Sequence, residues 1–192
     1  MKELKHVPLK EITKIRTGYA VRGRLIEDPD GAFSIIQMKD ASPEGINWGE
    51  LVRINQVGLS LPDFLKPNDV VFCGRGTRIF AVPISTVDKN TAAGQQFSVL
   101  TPQSNLPAEY IAWYINSSPG QHYFRKNAGA SLLINVNRRV LENCTIPLPN
   151  DNDIHIFAEL VKSVNHEKQI MDELYAKKQQ LLESIILKGL NS

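Results

Sequence analysis

A chain of 192 residues, 42% hydrophobic and 22% charged, has globular proportions; this excludes wholesale disorder and allows a core without covalent staples. No run approaches the roughly 18 apolar residues of a membrane span, and Met1–Pro8 lacks the apolar centre of a signal peptide. The net charge of +2 is too small to name a polyanion partner by itself, and the reading is a cytoplasmic protein with no membrane contact.

In chain order, residues 1–150 read as a body of short β-rich runs. These are Phe33–Met38, Val70–Cys73, Ile79–Val82 and Phe97–Leu100, with Leu132–Ile134 and Cys144–Ile146 following. Turn residues punctuate them at Asp30-Gly31, Pro43-Glu-Gly45, Pro67-Asn-Asp69 and Gly74-Arg-Gly76. Tyr110, Ile111, Tyr114 and Ile115 share one face of a helix whose first turn carries Pro107. Ser118–Lys126 reads as a second short helix opening after a serine cap. The fold class is α+β: a mostly-strand body with a few short helices, followed by one long helix.

That helix occupies 151–192. Ile146-Pro-Leu-Pro149 is expected to end what precedes, since proline neither donates to a ladder nor continues a helix. Asn150–Asp153 supplies capping residues, and no proline or glycine then intervenes from Ile154 to Lys188. About 36 residues make roughly 54 Å of rod, too long for a body of this size to cover. Heptad a positions fall at Phe157, Val164, Met171, Lys178 and Ile185; d positions at Leu160, Glu167, Leu174, Leu181 and Lys188. Seven of these ten are apolar, so the helix is expected to pair with a second copy of the chain. In an antiparallel pair Glu167 and Lys178 face each other.

Catalytic signatures are absent. There is no Gly-x-Gly-x-x-Gly, no Gly-x-x-x-x-Gly-Lys, no His-Glu-x-x-His and no Gly-x-Ser-x-Gly, and the four histidines are scattered. No cofactor or metal site is expected in this chain. Cys73 and Cys144 exclude a disulfide framework and most zinc sites and read as reduced thiols, with a bridge between them left open.

Charge, by contrast, is uneven. From Asp151 onward five Lys/Arg meet seven Asp/Glu, a net of −2, which leaves +4 on residues 1–150. No acid lies between Glu109 and Glu142, where Arg125, Lys126, Arg138 and Arg139 fall. Loops carry the side chains that read bases and phosphates: Arg16, Arg22 and Arg24; Gln37 and Lys39; Arg75 and Arg78; Gln95 and Gln96; Lys126, Asn127 and Ser131. Arg pairs with guanine edges or phosphates and Gln or Asn with adenine, so this set points to a face for double-stranded DNA. Arg75 and Arg78, around a glycine turn, are expected to read bases; Arg138 and Arg139 are expected to track phosphates.

The order of segments resembles half of a specificity (S) subunit of type I restriction–modification enzymes. The matching pieces are Val7–Ile12 followed by Gly18, Phe33–Asp40, Leu65–Val71, Phe97–Leu100, Pro107–Ile115, and Ile146–Pro149 leading into the long helix. The resemblance implies a target-recognition domain that grips one half of a split DNA site, and a helix that spaces it. It also implies a non-catalytic subunit docking DNA adenine methyltransferase (M) subunits, which carry S-adenosylmethionine, and through them a restriction translocase (R) subunit. Full-length members hold two recognition domains and two helices, whereas this chain holds one of each. A regulatory DNA-binding dimer without a methyltransferase, or a coiled-coil adaptor that binds no DNA, are the alternatives to this reading.

Overall fold

The computed structural model describes residues 4–21, 23–55, 63–76, 78–87, 90–103, 106–129 and 134–190. At its centre is an antiparallel four-stranded sheet in the order β2 (Thr13–Thr17), β11 (Phe97–Pro102), β7 (Val70–Cys73), β9 (Phe80–Pro83). Its inner strands are apolar at nearly every position because both faces are covered, and the two-residue side-chain period divides them. Val70, Phe72 and Leu100 face one core, while Val71, Cys73, Phe97 and Val99 face the other.

The first core is closed by helices α2 (Ala108–Asn116) and α3 (Ser118–Asn127), which contribute Tyr110, Ile111, Ile115 and Phe124. A short N-terminal helix, α1 (Leu9–Ile12), adds Leu9. Asn68, at a φ of 71°, accepts the Ala108 N–H (2.8 Å) and so caps α2 from the turn before β7. Ser117 caps α3, its hydroxyl accepting the Gly120 N–H with Pro119 in the first turn, so the helix opens after a serine cap as expected.

The second core is closed by a three-stranded sheet, β10 (Thr91–Ala93)–β3 (Phe33–Ile36)–β6 (Val52–Ile54), and by the hairpin β4 (Ala41–Ser42)–β5 (Gly45–Ile46). β3 ends two residues before Met38, where Met38–Asp40 turns into a 3-10 helix. Its first turn is fixed by the Asp40 carboxylate, which accepts the Gln37 N–H at 2.8 Å. Trp48–Glu50 forms a second 3-10 turn.

Several elements differ from the sequence reading or were not legible in it. β1 (Lys5–Pro8) pairs antiparallel with β13 (Thr145–Leu148), so Pro147 lies inside a strand instead of ending one. A two-stranded ladder has two outer sides, and a missing N–H there loses no bond. Gly74-Arg-Gly76, read as a turn, contains β8 (Arg75–Gly76), which pairs with β12 (Ile134–Asn135). Arg138–Glu142 forms the short helix α4, capped by the Asn137 side chain on the Val140 N–H at 2.9 Å. Cys73 and Cys144 are both free and buried, so no bridge joins them.

The long helix α5 (Asp151–Leu190) has 40 residues, about 60 Å at 1.5 Å per residue. Only its first turns are buried by the body: Ile154 and Ala158 are buried against α2, and everything after Val161 is exposed as far as Lys188, although Lys162 and Lys168 reach back to the body. Among the described residues no helix is long and apolar enough to cross a membrane.

Candidate nucleic-acid interface

Strand ends set the site. β7 ends at Cys73 opposite the first residue of β11, Phe97. β3 ends at Ile36, whose carbonyl accepts the Gly94 N–H at 2.9 Å, just past the end of β10. Met38 Sδ lies 3.6 Å from Cys73 Sγ. These contacts gather Gln37, Lys39, Arg75, Gln95 and Gln96 along one rim of the two sheets, with Lys39, Arg75 and Gln95 exposed. The close pass that builds the rim requires glycine, since a Cβ on Gly18 would run into the Gly94 carbonyl.

A second group adjoins the rim through β8 and β12. Arg75 stands opposite Asn135, and the Val136 N–H donates to the Gly74 carbonyl at 2.8 Å. The chain then enters α4, which carries Arg138 and Arg139 at its exposed start. Arg138 is partly engaged, donating to Glu142 Oε1 (2.7 Å) and to the Ile15 carbonyl (3.1 Å). Tyr123 donates its hydroxyl to the Val140 carbonyl (2.9 Å), which holds α3 on α4 and brings Lys126 to the same end. The Asn127 amide donates back to the Tyr123 carbonyl at 2.7 Å. Arg24 is exposed in the loop after β2, and Arg22 and Ser131 lie outside the described residues.

Arg16 stands apart. Its guanidinium turns inward, 3.0 Å from the fully buried Asp69 carboxylate and 3.1 Å from Asp63. It also donates to Thr101 Oγ1 (2.8 Å) and the Phe64 carbonyl (3.2 Å). Lys66 N–H and the Thr101 hydroxyl complete the donors to Asp69, at 3.0 and 2.6 Å. This side chain ties β2 to β11 and to the turn before β7.

Two ion pairs that sequence reading missed join the body to α5. Lys162 approaches the buried Glu109 at 3.6 Å, and Lys168 approaches Glu44, on the β4–β5 turn, at 3.7 Å. The Glu44 carboxyl is held below its usual range, first by the Ser42 hydroxyl and its own N–H, then by the charges of Lys168 and Arg78. Between hairpin and helix is a cleft of about 700 Å³, lined by Trp48, Pro83, Trp113 and Asn165 among others. Further along α5 the heptad residues Phe157, Leu160, Val164, Met171, Leu174, Leu181 and Ile185 are 43–63% exposed, and Lys178 is exposed with them. Glu167 and Lys178 interrupt this exposed apolar stripe. No cluster of metal-binding side chains occurs among the described residues.

No family model matches the chain, and neither does any curated protein. Solved structures do. The S subunit of a type I restriction-modification system from M. genitalium superposes with a TM-score of 0.60 at 15% identity, over 91% of this chain and 42% of that one. A chain from work on complex assembly and conformational transition of the type I R-M system gives 0.63 at 16%, over 96% and 44%. The HsdS subunit from Thermoanaerobacter tengcongensis gives 0.53 at 17%, over 86% and 39%. The chain thus has the fold of these S subunits and spans about two fifths of their length.

Proposed function

We propose that this chain is the DNA-recognition subunit of a type I restriction–modification system, itself without catalytic activity. The observation that carries the reading is the match of body and long helix together to S subunits, over 86–96% of the chain. The rim of Gln37, Lys39, Arg75 and Gln95 beside the cations of α4 supports it, because bidentate amides and arginines on adjoining loops are the groove-reading set. Arg75 reads base edges, and Arg138 and Arg139 hold phosphates.

One recognition body reaches few base pairs, and a few contacts of about 1–3 kcal/mol each discriminate poorly against a genome. A second copy, paired through the exposed seam of α5, supplies the other half of an interrupted, palindromic site. The remaining helix surface docks methyltransferase subunits, which hold S-adenosylmethionine, and through them a translocase.

Titrating mixed-sequence duplex at two salt concentrations tests the DNA half of this reading. Binding that weakens steeply with salt, as phosphate contacts require, is the expected result. Absent or salt-independent binding overturns it. Leu174→Asp places a charge in the seam, and it is expected to give a monomer in analytical ultracentrifugation that binds DNA more weakly. An unchanged dimer with unchanged DNA affinity would remove the seam from the account.

A further inference from the structure

The seam of α5 has three charged interruptions, Lys188 near its end and Glu167 and Lys178 within it, and the positions of the inner two single out one register. We infer that two copies of the chain pair antiparallel with the twofold axis between Asp172 and Glu173, and that Glu167 and the partner's Lys178 set this alignment. This deepens the dimer proposed above and rests on it.

Geometry leaves the face free. At 100° per residue, the stripe through Phe157, Leu160, Val164 and Met171 lies about a quarter of a turn from the stripe of Ile154, Ala158 and Val161 that meets the body. A second helix can therefore lie along α5 without displacing α2. Neither Glu167 nor Lys178 makes an ion pair within its own chain among the described residues, whereas Lys162 and Lys168 are engaged by acids of the body. Both residues are exposed, so each is available to a partner.

In an antiparallel pair each a residue opposes a d residue of the other helix. Centring the axis between Asp172 and Glu173 sets Met171 against the partner's Leu174, Val164 against its Leu181, and Leu160 against its Ile185. The same centring sets Glu167 against the partner's Lys178, twice by symmetry. Both central interruptions then meet the opposite charge, and Lys188, in the last turns of the helix, lies beside the partner's Phe157. Shifting by one heptad destroys this match: one direction seats Glu167 against Met171 and Lys178 against Leu160, and the other seats them against Ile185 and Leu174. Each such layer presses a charge onto an apolar side chain without a partner, which is the costly arrangement. A parallel, in-register pair stacks Glu167 on Glu167 and Lys178 on Lys178, so like charges repel. Polar residues inside a heptad seam commonly fix register in this way. Flanking positions agree, since Val161 lies beside the partner's Leu182 and Lys168 beside its Tyr175 ring.

The register fixes how far apart the two bodies stand. Ala158, at the anchor of one body, lies alongside the partner's Leu187, so the two anchors are about 44 Å apart along the rod. That is about one and a quarter turns of B-form DNA at roughly 34–36 Å per turn.

Charge reversal on the full chain tests the assignment by sedimentation equilibrium. Glu167→Lys alone and Lys178→Glu alone each weaken dimerisation about tenfold or more, because each creates two like-charge layers. The combined E167K/K178E chain returns to within about threefold of the unsubstituted one. A combined chain as weak as either single variant overturns the register while leaving the dimer standing. A monomeric unsubstituted chain removes dimer and register together. Spin labels give the same answer without changing charge layers, and the buried native cysteines stay unlabelled. Labels at Glu159→Cys are expected about 40 Å apart and labels at Asp172→Cys near the interhelical spacing of about 10 Å plus linker. A Glu159 separation near 30 or 50 Å identifies a neighbouring register, and a short distance at both positions identifies a parallel pair; each refutes the assignment.

Discussion

Replacing Arg16 by alanine separates holding the fold from reading DNA. The change leaves the Asp69 carboxylate, on a residue 0% exposed, with the Thr101 hydroxyl and the Lys66 backbone N–H as its remaining donors. It also strips the Phe64 carbonyl of a donor. Orphaning one member of a buried ion pair costs about 3–5 kcal/mol, and the two surviving donors place this case near the lower end, about 3 kcal/mol. The Asp63 contact adds little because that carboxylate is 62% exposed. For a chain of this size about 3 kcal/mol corresponds to roughly 6–12 °C in Tm. Urea unfolding followed by far-ultraviolet circular dichroism reads the difference, with Arg75→Ala, expected within about 0.5 kcal/mol of the parent, as the exposed control. A loss below about 1 kcal/mol for Arg16→Ala would refute the inward role argued from its partners.

Three further outcomes follow from the same geometry. Arg138→Ala is expected to weaken binding to every duplex alike and lower the salt slope by about one unit, whereas Arg75→Ala loses about 1–3 kcal/mol on the preferred sequence only; titrations on preferred and scrambled duplexes compare them. Burial pushes the Cys144 thiol up to about 12 and raises Cys73 as well, so a thiol reagent at mildly alkaline pH should label neither in the native chain and both after unfolding. The Glu44 carboxyl lies below its ordinary 4.5, so its contacts stabilise the folded chain above that pH and are lost as pH falls through the lowered value. Hydrogen exchange in Ala41–Ile46, corrected for intrinsic rate, should then speed up in acid before the central strands respond.

What the sequence disclosed followed from repetition and burial. Val70–Cys73 and Phe97–Leu100 read as strands because apolar side chains cover both sheet faces, and α5 read as a rod because its seam recurs for some thirty residues. Tyr110, Ile111 and Ile115 marked α2 by period alone. Shorter pairings left little trace: β8 is two residues and β10 is Thr-Ala-Ala beside a parallel neighbour, while of the run Leu132–Ile134, read as a strand, only Ile134 lies among the described residues, in β12. Arg16 looked like a loop cation because its partners, Asp69 and Thr101, are 53 and 85 residues away in sequence. Glu109 marked only the edge of an acid-free stretch, yet the fold buries it and offers it Lys162 from α5. Long-range ion pairs have no local pattern, so a list of loop cations cannot tell an inward arginine from an outward one.

The central claim is that two copies of this body, spaced by their helices, read a divided DNA site. Selection of duplexes from a fully randomised pool by the purified full chain, followed by sequencing, tests it most directly. The account predicts enrichment of an inverted repeat whose two arms are specified and whose interior, of one fixed length, is not. A single undivided motif, arms at variable spacing, or no enrichment over the starting pool would contradict it.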